Sequence, residues 1–213
     1  MESRDWSSDV CSSDLFPSHD TAQADAVMMG GSTFRAHPKP LRVRGAALTR
    51  QRVKNGKSAQ PATVVISRTL NFPLHTDFEK AKDIERWIFC EQASDKNTRR
   101  RLSASGVRIE VSERGWQAKE ILAKLQAAGH RKVLLEGGGE VNALFFEADA
   151  VDFIYLTLCP VLIGGRESPT IFAGKGLREQ FPLFRVLDEA WIAGELYLVF
   201  QRWKGKFKTP TSQ

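Results

Sequence analysis

The sequence predicts a single α/β domain on a largely parallel sheet, finished by an antiparallel hairpin at its C-terminal end. Three observations predict it. Short apolar, β-branched runs alternate with segments of helical period from Ala26 to Leu158, the pattern of strands linked by crossover helices. Two further strand runs, near 183–189 and 195–203, are separated only by a short turn around Ala193-Gly194. About 200 residues at 42% hydrophobic content can bury one substantial core, with no internal repeat and no second domain.

In chain order, Ala26-Val27-Met28-Met29-Gly30-Gly31 reads as a buried strand entering a glycine turn, with Ser32 or Thr33 as the cap of a short helix that Pro38 and Pro40 end. Residues 45–61 are polar, basic and irregular and read as a surface loop. Ala62–Ser67 is a second buried strand, and residues 86–91, with Trp87, Ile88 and Phe89, a third. A polar, basic stretch around Arg99-Arg100-Arg101 leads to Val107–Val111, which alternates as a strand. From Trp116 to Ala128, Ala118, Ile121, Leu122 and Leu125 mark an amphipathic helix with Gly129 as its C-cap. Strand 132–135, helix 140–149 and strand 151–158 follow, then a turn region from Pro160 to Gly165.

The most informative stretch is Leu134-Leu135-Glu136-Gly137-Gly138-Gly139-Glu140-Val141-Asn142. Here an apolar strand ends in three glycines, and Val141, Leu144, Phe145 and Ala148 then share one helical face. A glycine turn feeding a helix N-terminus offers unpaired N–H groups and a positive dipole end to a phosphate. The alternative is a tight strand-to-helix turn without a ligand. Three glycines in a turn that needs one favour the ligand, although the spacing is not the G-x-G-x-x-G dinucleotide fingerprint.

The first residues stand apart. Asp5–Leu15 has no usable period, nearly repeats Ser-Ser-Asp, and resembles the translation of a sequencing-adapter oligonucleotide. Residues 1–15 are therefore assigned to an artefact expected to be disordered, residues 16–203 to an N-terminally truncated domain, and 204–213 to a basic tail. Residues 1–15 are net −3, so the rest of the chain carries +9 against +6 for the whole. No signal peptide and no membrane span are predicted. Of three cysteines, Cys90 and Cys159 lie in the domain in contexts that read as buried, which suits a reducing cytosol better than a disulfide framework.

Ordered blocks carry a family resemblance over residues 22–203: Ala24–Thr33, then Glu136–Asn142 followed by Phe146–Asp152, then Cys159–Arg166. Together they resemble the riboflavin-biosynthesis pyrimidine reductases, relatives of dihydrofolate reductase. The resemblance implies a dihydrofolate-reductase-like three-layer fold with a mostly parallel central sheet. It also implies NADPH as cofactor, and reduction of the ribosylamino group of a pyrimidine 5′-phosphate to the ribitylamino form. By the same resemblance Thr33 and the block Gly138, Gly139, Glu140, Val141, Asn142, Ala143 and Leu144 contact the cofactor, and Leu41, Arg44 and Glu136 the substrate.

Arg44 offers a bidentate fork for a phosphate, or is a solvated surface arginine. Glu136 is a substrate contact or a carboxylate held by a helix dipole. Arg166 meets a cofactor phosphate or is ordinary surface. His37 stands where the family has a cofactor-contacting aspartate; it binds phosphate when protonated or is a solvent-facing loop residue. The adapter-like segment occupies the place of a strand and loop that supply substrate-pocket residues in the family, so catalytic residues are not assignable and the chain is expected to be catalytically crippled.

A homodimer and a cytoplasmic location are implied by resemblance. No deaminase segment, no Cys/His zinc cluster and no metal site are expected. The basic balance, pI ≈ 9.4, suits a polyanionic cofactor and substrate, and no recognition helix or stacking motif supports a nucleic-acid binder. Two alternatives stay open: a dihydrofolate-reductase-like oxidoreductase with another substrate, and a non-catalytic nucleotide-binding relative.

Overall fold

The computed structural model describes residues 21–73, 76–162, 164–165, 168, 170–174, 176 and 182–205. Expectations for residues 1–15, for Arg166 and for most of the basic tail lie outside these residues.

Five strands pair in parallel: β1 (Ala26–Gly30), β2 (Ala62–Ile66), β3 (Arg86–Glu91), β4 (Arg108–Ser112) and β5 (Val133–Gly137). Their order across the sheet is β4-β3-β2-β1-β5. Every residue of β1 is buried, and β2 and β3 are buried except for their last residues. That is why these runs read as continuously apolar: both faces are covered.

On one face Met28, Val64, Trp87 and Phe89 meet Ile121 and Leu125 of α5 (Ala118–Ala127) and Val141 and Phe145 of α6 (Gly139–Glu147). On the other, Met29, Val65, Ile88 and Cys90 meet Phe34 of α1 (Gly31–Ala36), Phe78 of α3 (Asp77–Lys80) and Leu102 of α4 (Lys96–Ala104). The three layers are those the family resemblance implies.

Beyond α6 the chain forms a second sheet of β6 (Phe153–Leu158), β7 (Leu183–Ile192) and β8 (Glu195–Trp203), ordered β6-β8-β7 and antiparallel throughout. The predicted hairpin is there. Ala193 and Gly194 take φ of 52° and 85°, the left-handed pair that a tight two-residue turn requires. The C-cap of α5 is Ala128, one residue before the predicted Gly129, which follows it at φ 95°.

Two local expectations are corrected. Residues 45–61 are not all loop, since Ala46–Lys54 is helix α2. Its period was hidden because the side chain it buries is a charged one: Arg52 is 2% exposed, and its guanidinium donates to the carbonyls of Thr21, Ala22, Ala24 and Ser58. Nor do Ser32 and Thr33 cap α1, because the helix begins directly at Gly31 with Gly30 as its N-cap and no side-chain capping bond. The basic stretch at 99–101 lies within α4, capped by the Asp95 carboxylate accepting from the Thr98 N–H at 2.6 Å.

Candidate functional site

The carboxyl ends of parallel strands are where chain turns and helix N-termini gather. In this sheet they enclose a cleft of 540 Å³. Gly30 closes β1, Ile66 to Thr69 leave β2, Phe89 to Glu91 end β3, and Gly138 follows β5. Ser32 and Arg35 of α1, the Gly115-Trp116-Gln117 turn before α5, and Glu140, Val141 and Leu144 of α6 complete its walls.

The glycines have reasons of their own. Gly137 and Gly138 adopt φ of 93° and 96°, a region that L side chains rarely enter. A Cβ on Gly138 would stand 3.1 Å from the Thr33 hydroxyl oxygen. Gly139 is helical, yet a Cβ there would lie 3.0 Å from Ala173 and from the Thr170 carbonyl oxygen. A Cβ on Gly30 would meet Val141 Cγ2 at 2.9 Å, and one on Gly31 the Ser67 hydroxyl oxygen at 2.8 Å. Backbone conformation and packing therefore account for the glycine run, so the run by itself is no evidence for a ligand.

The case for an anion rests instead on the groups around it. The first turn of α6, a nine-residue helix, faces the cleft from Gly138 and brings its positive dipole end there. The exposed Arg35 and Arg68 add two guanidinium groups, and among the described residues neither forms an ion pair. Ser67 and Thr69 flank Arg68 with hydroxyls. Glu91 and Glu140 oppose these cations, so the cleft is polarised rather than uniformly positive. Ile66, Phe89, Trp116 and Leu144 supply apolar wall. Burial pushes the Cys90 thiol up, which keeps that cleft-lining group protonated. Such a mixture fits a nucleotide diphosphate with an aromatic end.

The residues expected at the cofactor divide into two sets. Gly138, Glu140, Val141 and Leu144 line the cleft. Gly139, Asn142 and Ala143 instead meet residues 170–174: the Ala173 N–H donates to the Gly139 carbonyl, and the Asn142 amide donates to the Ile171 carbonyl at 2.8 Å. Ala143 packs toward Gly174. Thr33 stands behind Gly138, and His37 is exposed at the end of α1 and outside the lining.

None of the three substrate candidates lines the cleft. The Leu41 N–H donates to the Thr63 hydroxyl near the amino end of β2, and Arg44 is exposed on the same connection. Arg42, two residues earlier, makes a bidentate pair with the Asp83 carboxylate and holds that carboxyl below its usual range. Glu136 is exposed at a bulge in the edge strand β5, where Met28 pairs with Leu135 and Met29 with Gly137.

Sequence reasoning missed Arg35, Ser67, Arg68 and Trp116. The signal for Ser67 and Arg68 is positional, because they follow a buried parallel strand directly. Among the described residues no group of three His, Cys, Asp or Glu side chains could hold a metal, and no helix is long and apolar enough to cross a membrane.

Residues 2–192 match the sequence profile of the RibD C-terminal domain. The 2,5-diamino-6-ribosylamino-4(3H)-pyrimidinone 5′-phosphate reductase of Archaeoglobus fulgidus is 29% identical over 154 residues, 72% of this chain and 70% of that protein. The reductase of the same name from Methanothermobacter thermautotrophicus is 26% identical over 187 residues, 86% of this chain and 82% of that one. A pyrimidine reductase-like protein of Corynebacterium diphtheriae superposes with a TM-score of 0.77 at 20% identity, covering 89% of this chain and 80% of that one. The RibD of Acinetobacter baumannii gives 0.70 at 21% identity, and 88% of this chain spans 49% of that longer protein. These two structures share the fold.

Proposed function

The chain belongs to the RibD C-terminal domain family, and from that premise we propose that its cleft binds NADPH for reduction of the ribosylamino group of a pyrimidine 5′-phosphate to the ribitylamino form. The observation that carries the reading is the cleft at the strand ends, where the α6 N-terminus, Arg35 and Arg68 converge. Relatives named as reductases of such a phosphate supply the substrate class.

When bound, the nicotinamide supplies the hydride. This chain's own residues bind and orient. The α6 N-terminus and Gly30-Gly31 at the start of α1 would hold the diphosphate, and Arg35 and Arg68 would supply positive charge for the phosphates, including the one that distinguishes NADPH from NADH. Ile66, Leu144 and Trp116 would exclude water from the apolar part of a bound cofactor. Thr33 supports this surface from behind Gly138.

On the substrate side we assign Leu41, Arg44 and Glu136, with Arg44 as the phosphate-binding fork. A cytoplasmic location goes with two soluble phosphorylated reactants. A homodimer goes with the exposed apolar side chains of the antiparallel sheet, Leu158, Val186 and Trp191, the last 72% exposed.

The test is NADPH oxidation followed at 1 mM ribosylamino-pyrimidine phosphate, a concentration of about the upper end of ordinary KM values. Turnover supports the reading, and R44Q is expected to raise KM more than R42Q does. One observation favours a second reading, a relative that binds the cofactor without turnover: Leu41, Arg44 and Glu136 all stand outside the cleft lining. Tight NADPH binding with no oxidation would select it.

A further inference from the structure

Along the carboxyl edge of the sheet the cleft changes chemistry in a fixed order. Beside β5 and β1 it offers Gly138 and Gly30 with the α6 N-terminus, after β2 it offers Arg68, and beyond β3 it offers Trp116. Strands β5, β1, β2 and β3 are neighbours in that order. At about 4.8 Å between strands, three intervals place the aromatic end roughly 14 Å from the helix N-terminus. A cation lies between the two.

Trp116 is built as a fixed surface. Its indole N–H donates to the Cys90 carbonyl at 2.9 Å, and its ring meets Phe89 edge to face, with centroids 5.0 Å apart and planes at 88°. The Ser112 hydroxyl donates to the Gly115 carbonyl at 2.8 Å and pins the turn that carries it. Lys124 Nζ stands 5.7 Å from the ring centroid, and the half-buried indole still contributes to the cleft wall. The packing role explains the contact with Phe89. It does not require an indole on the cleft side of a turn already held by Ser112.

We propose that Trp116 is the platform on which the base of the cofactor's adenosine half stacks, and that it sets the preference for the whole dinucleotide. The inference rests on the reading that the cleft takes NADPH. Base–aromatic stacking is sequence-tolerant and depends on a rigid π-face, which the Cys90 and Phe89 contacts provide. It also fixes direction: with the base at β3, the nicotinamide end points toward β5, the strand that carries Glu136.

The test is a set of calorimetric titrations of the full chain, wild type, W116F and W116L, with NADPH, adenosine 2′,5′-bisphosphate and inorganic pyrophosphate. W116L should weaken NADPH and the bisphosphate by about tenfold, W116F should restore most of that, and pyrophosphate affinity should not change. The bisphosphate should also quench tryptophan fluorescence in wild type and much less in W116F, a readout that holds if W116L does not fold. If wild type binds neither nucleotide, the reading of the cleft fails. If wild type binds both and the variants bind equally well with equal quenching, the stacking platform is overturned and the cleft reading stands. Equal loss of pyrophosphate in W116F and W116L would mark a purely structural tryptophan and would also overturn it.

Discussion

The Thr33 hydroxyl oxygen lies 3.1 Å from where a Cβ on Gly138 would sit, so the first turn of α1 and the turn after β5 close on each other with no room for a side chain between them. Gly138 also holds φ at 96°. G138A should therefore destabilise by about 1–3 kcal/mol, and T33A in the same background should recover only the steric part, because the left-handed backbone remains. Chemical unfolding of the three variants measures both contributions.

Gly30 presents the opposite case. Its backbone is extended, at φ −79° and ψ 157°, so any residue could adopt it. The obstacle is Val141 Cγ2, 2.9 Å from the position of a Cβ. G30A should cost about 1–3 kcal/mol as overpacking. V141A should relieve most of it, giving a non-additive double-mutant cycle of at least about 0.5 kcal/mol. Equal and additive losses would show that the two residues do not compete for space.

Removing the Arg52 guanidinium leaves four backbone carbonyls without their donor in a buried place. R52M keeps the apolar stem and should still cost about 2–4 kcal/mol, with R52K little better because an ammonium cannot reach the same fork. Urea midpoints near those of wild type would contradict this.

Asp25 joins the starts of β1 and β5. Its carboxylate accepts from the N–H groups of Arg131 at 2.9 Å and Lys132 at 2.8 Å and pairs with Lys57. Burial alone pushes this carboxyl up, but Lys57 and the two N–H groups together hold it below its ordinary value. A carboxyl depressed on folding stabilises above its unfolded pKa and loses that contribution as pH falls through the folded one. D25N should thus be less stable than wild type at pH 7, and the gap should close below about pH 4. A gap independent of pH would contradict the assignment.

The layers were legible because both faces of β1, β2 and β3 are covered, which leaves uninterrupted apolar runs, and because Gly129 and the Ala193-Gly194 pair carry turn chemistry that few other residues support. Helix α2 was not, since its buried anchor is Arg52, whose partners are backbone carbonyls that no residue pattern reveals. The Gly137–Gly139 block was found for a reason that only partly survives: its glycines answer to backbone conformation and to residues 170–174, while Arg35, Arg68 and Trp116 supply the chemistry of the cleft. Those residues meet only when β1, β2, β3 and β5 end side by side, and that is a property of strand order.

The most direct test of the central claim, that this cleft is a dinucleotide phosphate site, is isothermal titration of the chain with NADPH and with NADH, on wild type and R68Q. One NADPH should bind per chain, more weakly as salt rises and in preference to NADH, and R68Q should lose about tenfold or more of that preference. No saturable binding of either nucleotide, or an NADPH preference unchanged by R68Q, would contradict it.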